Sequence, residues 1–429
     1  MDRPAVSAFT FSTAASVRFG WGSLAELGQR VSSYGDRVLV VCGRRVERVQ
    51  PCLDLLDQCG KKATLFELAS EPKVEDIERG ILHVREGFDW VLGFGGGSVL
   101  DAAKALAIMA PQPGSLMDYL EVIGRAQTFP LPGLPVVAVP TTAGTGSEVT
   151  RNAVIASPDH RVKVSLRHDS MLPNLALVDP SLACSLPAPL TAATGLDALT
   201  QLIEAFVSRR ANPLTDACCR QGIPRALRSL EKAVHAPEDP SARTDMALAS
   251  LYSGMALANA GLGAVHGIAG PLGGMHPSAP HGALCAVLLP HSLERLHEAV
   301  RNRQPTPTCL FKLEALAEMI LGDPKAPITE ALSWLHAWVA SFALPSLSHY
   351  GLSRQECPLL AEKALASSSM KGHPVDMTPQ EVCDLVGVPT RGAACQKGSS
   401  VGAIRHRRAR KGWVRLLPCT ARIYRHTIT

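Results

Sequence analysis

The chain has 429 residues, of which 46% are hydrophobic and 19% are charged, and its formal charge is +5. This composition excludes an intrinsically disordered chain, and the length favours two domains with packed cores. Residues 387–429 hold ten basic and no acidic residues, which leaves 33 basic against 38 acidic residues, a net charge of −5, in residues 1–386. The mildly acidic body argues against nucleic-acid and membrane-surface partners.

The cysteines and the N-terminus bear on the cellular compartment. Twelve cysteines are scattered along the chain and form no CxxC pair or other familiar zinc spacing. The N-terminus lacks the charged segment and apolar stretch of a secretory signal. We therefore expect reduced thiols in a cytoplasmic enzyme.

Short apolar runs alternate with helical patterns over the first half of the chain. Five runs have the pattern of buried strands, at 37–42, 63–67, 90–94, 135–139 and 175–179. Continuous apolar strands separated by helices are typical of a parallel sheet with both faces covered. We therefore predict an α/β domain over residues 1–187.

From residue 191 onward the pattern becomes helical. Apolar residues at spacings of 3, 4 and 3 mark one face of a helix at Leu196, Leu199, Ile203 and Phe206. Similar patterns recur at 227–234, 246–260, 311–321, 328–342 and 353–366. They predict an all-helical domain over residues 188–386.

One stretch of the second domain, residues 246–293, contains no Asp, Glu, Lys or Arg. Its four prolines and repeated glycines interrupt the run of about 20 apolar residues that a membrane-spanning helix needs. We expect a buried helix that leads into a histidine-bearing loop.

A glycine-rich turn follows the strand predicted at 90–94. It consists of Gly95, Gly96, Gly97 and Ser98, and a helical pattern follows it. Free N–H groups and the positive end of a helix dipole at such a turn favour a pyrophosphate. Because Ser98 replaces the third glycine of GxGxxG, a tight turn without a ligand is the alternative.

A second glycine-containing loop, residues 140–150, follows the strand predicted at 135–139. Hydroxyl groups alternate in it with glycines, on Thr141, Thr142, Thr145 and Ser147. Ligands of open α/β sheets bind at this end of the strands, so two such loops predict a dinucleotide site. An ordinary hydroxyl-rich turn is the alternative.

The second domain contains candidate metal ligands. Asp197, Gln201 and Glu204 share one helix face, which is either solvated or functional. Three histidines follow in the charge-free stretch, namely His266, His276 and His281. Neutral imidazoles and the Asp197 carboxylate could hold a divalent ion, and buried structural histidines are the alternative.

Together these segments resemble the iron-containing (group III) alcohol dehydrogenase family over about residues 7–385. The family's GGGSxxDxAK lies at 95–104, its PTTxGTGSEVT at 140–150, its PxxAxxDPxL at 173–182, its DALTxxIE at 197–204 and its PHG at 280–282. The resemblance implies a Rossmann-like dinucleotide-binding domain, an all-α domain of the dehydroquinate synthase-like type, and a cleft for nicotinamide and metal between them.

The resemblance also implies roles for individual residues. The cofactor, NAD or NADP, would contact Gly43, Gly95, Gly96, Gly97, Ser98, Asp101, Thr141, Thr142, Thr145, Ser147 and Lys163. The metal, Fe²⁺ or Zn²⁺, would be bound by Asp197, Gln201, His266 and His281. The catalytic groups would be Lys163 and His276, the latter in place of a family histidine whose position is Gly270 here.

Two departures from the family pattern affect the expected chemistry. Gln201 replaces a histidine, and its carboxamide is a weaker ligand, which disfavours tight iron or zinc binding. Gly43 replaces the aspartate of many NAD-preferring members, beside Arg44 and Arg45. We expect these arginines to accept the 2′-phosphate of NADP(H), with a solvated helix start as the alternative.

The predicted reaction is hydride transfer between nicotinamide and a small alcohol or aldehyde, assisted by the cation. Three alternatives are open: a metal-independent maleylacetate reductase, a dehydroquinate synthase-like lyase, which the threonine-rich loop disfavours, and a non-catalytic dinucleotide-binding relative. The family suggests a homodimer. We expect residues 387–429 to form a solvated, disordered tail, with an arm for an anionic partner as the alternative.

Overall fold

The computed structural model describes residues 8–303 and 307–387, so the basic tail from residue 388 onward lies outside the described residues. The strands are β1 (Val17–Phe19), β2 (Arg37–Gly43), β3 (Lys62–Leu68), β4 (Trp90–Gly95), β5 (Val136–Pro140), β6 (Asn152–Ser157), β7 (Val162–Arg167) and β8 (Leu175–Val178). The first helices are α1 (Leu27–Arg30), α2 (Gln50–Gln58), α3 (Val74–Val84) and α4 (Gly97–Met109). The later helices are α5 (Ala188–Val207), α6 (Pro213–His235), α7 (Pro240–Ala260), α8 (Ala264–Met275), α9 (His281–Asn302), α10 (Pro307–Leu321), α11 (Ile328–Ser341), α12 (Cys357–Ala366) and α13 (Pro379–Leu385).

Six strands form a parallel sheet in the order β1-β8-β5-β4-β2-β3. The five predicted strands all lie in this sheet, which confirms the α/β prediction. The short edge strand β1 and the antiparallel hairpin of β6 and β7 were not predicted. The hairpin strands are only half-buried and carry polar residues, so they lack the continuous apolar run used to find the others.

Helices cover both faces of the sheet. Leu39 and Val41 of β2 pack in one apolar cluster with α3 and α4, while Val38 and Val40 pack in another with α1 and α2. This alternation follows from the two-residue period of a strand. Because the sheet is parallel, the carboxyl ends of β4 and β5 lie side by side, with Gly95 paired to Pro140.

The second half of the described chain contains helices α5 to α13 and no strand, as predicted. One detail of the prediction is wrong, because the histidine-bearing segment is largely helical. His266 lies in α8 and His281 begins α9, with only residues 276–280 between them. Proline and glycine pointed to a loop, but α8 contains Pro271 and is buried against α9 and α12.

No single helix of the described part is long and apolar enough to cross a membrane. The consecutive helices α7 and α8 meet the length and composition criteria only as a pair, and they are bent by 97° relative to each other.

A disulfide joins α12 to α13. Cys357 and Cys383 are bonded, with their Cα atoms 5.7 Å apart. The expectation that all thiols are reduced is wrong for this pair. It could not be recognised in the sequence, because a separation of 26 residues gives no sign that the two helices pack together. The other cysteines of the described chain are free, and Cys285 is one of the buried ones.

Candidate active site

The glycine turn leads directly from β4 into α4. Gly96 is the N-cap residue of α4, and no side chain caps this helix end. Gly96, Gly97 and Ser98 are partly exposed, while the strand before them is buried. The turn therefore presents a helix N-terminus to solvent, which is the arrangement that binds phosphate groups.

The threonine loop, residues 140–150, lies against this turn. A Cβ atom on Gly97 would lie 2.6 Å from Thr145 Oγ1, and one on Gly96 would lie 3.1 Å from Thr142 Cγ2. The N–H group of Thr141 donates to Gly95 O at 2.9 Å. Only glycine permits this close approach, and it leaves the backbone of the turn open to a pyrophosphate. The geometry fits a dinucleotide.

The predicted cofactor residues divide into two groups by exposure. Thr142 and Thr145 are partly exposed beside the glycine turn, whereas Thr141 and Ser147 are buried. Ser147 Oγ donates to Asp101 Oδ1 at 2.5 Å, and the other carboxylate oxygen of Asp101 accepts from Val154 N at 2.9 Å. Asp101 and Ser147 thus stabilise the loop, and their direct contact with a cofactor stays a prediction.

Lys104 completes this internal network and was not singled out from the sequence, although it belongs to the GGGSxxDxAK segment. Its Nζ lies 3.1 Å from Asp101 Oδ1 and donates to Thr150 Oγ1 at 2.9 Å. Complete burial lowers the pKa of Lys104, an effect that Asp101 opposes. The Lys104 side chain therefore links α4 to the threonine loop in the protein interior.

The threonine loop also contacts the helical half of the molecule through two glycines. Gly146 has φ +61°, and a Cβ atom on Gly254 of α7 would lie 2.2 Å from Gly146 O. Close by, Ser253 Oγ lies 3.3 Å from Gly144 O. The loop is thus held between the sheet and α7 by backbone contact.

Four possible metal ligands from three helices meet at one point. Asp197 of α5, His266 of α8, and His281 and Cys285 of α9 each offer one ligand atom, and these atoms lie within 4.8 Å of one another. His266 Nε2 lies 3.2 Å from Asp197 Oδ1, and His281 Nε2 lies 3.8 Å from the same oxygen. Asp197 and His266 are buried.

Glu204 orients the His266 ring. Its carboxylate accepts from His266 Nδ1 at 2.7 Å and from Val265 N at 2.6 Å. Because a carboxylate only accepts, Nδ1 carries a proton, and Nε2 faces Asp197 Oδ1. A proton on Nε2 or a cation next to it is needed to make this contact favourable. Carboxylate–histidine pairs of this kind support metal ligands, so the donor set fits a divalent ion.

The protonation states of the two α9 residues follow from burial. Burial lowers the pKa of His281 to about 4, so its imidazole is neutral at physiological pH, the form that binds metals. Burial raises the pKa of the Cys285 thiol to about 12, so the group is a neutral thiol when no cation is near.

Comparison with known proteins gives the family. The model of the iron-containing alcohol dehydrogenase family matches residues 14–180, and that of the family's C-terminal region matches residues 191–387. The chain belongs to the iron-containing alcohol dehydrogenase family. It is accordingly an NAD(P)-dependent oxidoreductase that interconverts alcohols and carbonyl compounds.

Individual relatives agree with this assignment. Long-chain-alcohol dehydrogenase 1 of Geobacillus thermodenitrificans is 40% identical over 353 residues, which cover 81% of this chain and 87% of the relative. The 1,3-propanediol dehydrogenase of Klebsiella pneumoniae is 34% identical over 374 residues, 85% of this chain and 94% of the relative. A crystal structure of 1,3-propanediol oxidoreductase superposes with a TM-score of 0.80 at 32% identity, covering 89% of this chain and 99% of that one. These names do not favour the maleylacetate reductase alternative.

Gln201 departs from the iron-type family pattern and has a partner of its own. It is buried in α5, one turn after Asp197, and its Oε1 lies 2.9 Å from Ser253 Oγ. Its predicted role as a metal ligand is therefore in competition with this hydrogen bond. Cys285, which the sequence analysis missed, lies one turn after His281, and the His-x-x-x-Cys spacing is the signal that could have revealed it.

The remaining predicted catalytic residues lie outside the group of four ligand atoms. His276 follows α8, and its Nε2 lies 3.3 Å from Glu356 Oε2. Lys163 Nζ lies 2.5 Å from Glu71 Oε2 and would be 3.2 Å from a Cβ atom on Gly273 of α8. The Lys163 side chain thus lies between β7, on which it is carried, and α8. Both catalytic assignments stay predictions.

Gly43 ends β2 next to open space, since a Cβ atom there would have no neighbour within 4 Å. The adjacent Arg44 lines a surface pocket together with Glu67, Arg79 and His83. This end of β2 therefore presents two guanidinium groups and one imidazole against a single carboxylate.

Proposed function

We propose that this dehydrogenase acts on a small alcohol or its carbonyl product, with NAD(H) or NADP(H) on the glycine turn and threonine loop and a divalent cation held by Asp197, His266 and His281. The observation that carries the proposal is the position of Ser253. Its Oγ contacts both Gly144 O in the threonine loop and Gln201 Oε1, one turn from Asp197. The glycine turn and the threonine loop therefore lie next to the four possible metal ligands.

The chain's own residues supply binding and orientation. When bound, the nicotinamide would carry the hydride and the cation would polarise the substrate oxygen. The α4 N-terminus and the hydroxyl groups of Thr142 and Thr145 would hold the pyrophosphate. Glu204 keeps the proton of His266 on Nδ1 and leaves Nε2 directed at Asp197.

Metal removal tests the proposal. The full chain, purified without chelator, is assayed on a panel of small alcohols and aldehydes and on maleylacetate, before and after exhaustive chelation. We expect turnover of an alcohol–aldehyde pair to fall at least about 100-fold on chelation and to return with Zn²⁺ or Fe²⁺. Turnover that survives complete metal removal would refute the metal-assisted reaction, and turnover of maleylacetate alone would support the reductase alternative.

Cofactor choice is a separate prediction that rests on the end of β2. The arginine-lined pocket should accept a 2′-phosphate, so we expect NAD to be preferred over NADP by less than about 100-fold, or ~2.7 kcal/mol. Gly43→Asp adds a carboxylate into open space, and it should lower kcat/KM for NADPH about 10- to 100-fold with little effect on NADH. Gly43→Ala, which adds the Cβ atom without the charge, should keep the wild-type ratio. An unchanged ratio in Gly43→Asp would place the 2′-hydroxyl elsewhere.

A further inference from the structure

We propose that Cys285 is the fourth protein ligand of the cation, in place of Gln201, and that the resulting site selects Zn²⁺ over Fe²⁺. The inference rests on the proposed function only in taking the cluster of Asp197, His266, His281 and Cys285 as the metal site. It concerns which atoms bind the cation and does not depend on the alcohol that the enzyme uses.

The cluster has the dimensions of a tetrahedral metal site. Metal–ligand bonds of about 2.0–2.3 Å in a tetrahedral site put neighbouring ligand atoms roughly 3.3–3.8 Å apart. Cys285 Sγ lies 3.6 Å from His281 Nε2 and 3.7 Å from His266 Nε2. Asp197 Oδ1 lies 3.2 Å and 3.8 Å from the His266 and His281 nitrogens. All four separations are therefore close to the distance expected between neighbouring ligand atoms of one tetrahedral site.

Cys285 lies in α9, one turn after His281. His281 and Cys285 are four residues apart, so both side chains lie on the same face of the helix, directed at α5 and α8. Cys285 is completely buried, and its hydrogen-bonding partners are the two imidazole nitrogens of the cluster. A buried cysteine that serves only packing has apolar neighbours, whereas a sulfur atom beside two imidazole nitrogens has the surroundings of a zinc ligand.

Gln201 occupies the position of the family's fourth metal ligand. Its Oε1 lies 2.9 Å from Ser253 Oγ, so a hydrogen-bond donor within the protein faces the carboxamide oxygen. A neutral amide oxygen is also a poorer ligand for zinc than a thiolate. The site therefore has a stronger fourth donor in Cys285 and needs no contribution from Gln201.

The ligand set determines which metal is bound. A thiolate is soft, and it favours zinc over the harder first-row ions that carboxylate-rich sites accept. One thiolate, two imidazoles and one carboxylate form a typical zinc donor set. We therefore expect the chain to bind Zn²⁺ preferentially, although its family is named for iron.

Cobalt substitution tests the ligand directly. The metal-free full chain is titrated with Co²⁺ and followed by absorption spectroscopy. We expect visible bands of tetrahedral intensity together with a thiolate-to-cobalt charge-transfer band in the near ultraviolet. Cys285→Ser should lose the charge-transfer band, whereas Gln201→Ala and Cys309→Ser, the latter a buried cysteine elsewhere in the helical domain, should retain it. A wild-type complex without this band, or a band that persists in Cys285→Ser, would overturn the proposal.

Zinc affinity gives a second readout that does not depend on turnover. Competition with a chromophoric chelator should show Zn²⁺ binding weakened at least about 100-fold in Cys285→Ser and less than about 10-fold in Gln201→Ala. The reverse order would restore Gln201 as the ligand and overturn the inference. Melting temperatures of the metal-free variants show whether each one folds, and Cys285→Ala provides a second variant if Cys285→Ser does not.

The cobalt spectrum and the turnover assay also separate this inference from the proposed function. An intact cobalt band in a chain that oxidises no alcohol would contradict the proposed function and leave this inference standing.

Discussion

Replacing Asp197 with asparagine is expected to reduce kcat/KM by about 10³-fold, equivalent to ~4 kcal/mol of transition-state stabilisation. The substitution keeps the shape of a buried side chain and removes its negative charge. Asp197 Oδ1 is the oxygen that faces both imidazoles. Within the cluster, Asp197 supplies a negative charge directly, and Cys285 supplies one only when its thiol ionises. The measurement is steady-state kinetics together with metal content by mass spectrometry.

The control for this variant is Glu314→Gln on α10, an exposed carboxylate on another helix, which should leave both turnover and metal content at the wild-type level. Asp197→Asn should also lose bound metal, and its activity should rise when metal is added in excess. Full metal occupancy with wild-type turnover in Asp197→Asn would show that the carboxylate is not a ligand.

The second large effect is expected from Gly254→Ala. Helix propensity alone predicts a gain of about 1 kcal/mol, because glycine is a poor residue within α7. The contact with the threonine loop predicts the opposite, since the new Cβ atom would lie 2.2 Å from Gly146 O, a backbone atom with no freedom to rotate away. We expect a net loss of about 3 kcal/mol, a melting temperature roughly 5–10 °C lower, and NADH affinity reduced about tenfold.

Gly270→Ala separates these two effects. Gly270 lies within α8, and a Cβ atom there would have no neighbour within 4 Å, so only the propensity gain should remain. Its melting temperature should equal or exceed that of the wild type. If Gly254→Ala is as stable as Gly270→Ala, the two glycines do not hold the loop against α7.

Strands β2, β4, β5 and β8 were predictable because they are buried on both sides. A run such as Val38 to Cys42 has no polar interruption, and its ends coincide with those of β2 to within one residue. The β6–β7 hairpin was missed because only continuous apolar runs were taken as strands, whereas Lys163 and Ser165 alternate with apolar residues, which is the pattern of a half-buried strand. The largely helical character of the histidine segment was missed because proline normally interrupts a helix, whereas here α8 continues through Pro271.

The site was predictable where its residues are contiguous in sequence. The glycine turn and the threonine loop follow adjacent strands, so their meeting at one edge of the sheet follows from parallel pairing. A cation between Asp197 and two or three histidines was predicted from the residues, but the choice of His266 and His281 depended on the family resemblance, since three helices bring them together. Cys285 was overlooked because a cysteine search by sequence spacing looks for other cysteines, and its partners here are histidines.

The hydroxyl group of Ser253 has one hydrogen and three acceptors within reach: Gln201 Oε1 at 2.9 Å, Gly144 O at 3.3 Å and Ser250 O at 2.8 Å. It can satisfy only one of them fully at a time. A ligand that moves Gly144 therefore changes the hydrogen bond available to Gln201, and a ligand that moves Gln201 changes the one available to Gly144. Gln201 lies one turn after Asp197 on α5, so this coupling reaches the cation through the helix and does not require Gln201 to be a ligand. Because coupling is reciprocal, the dinucleotide and the cation change each other's affinity by the same factor.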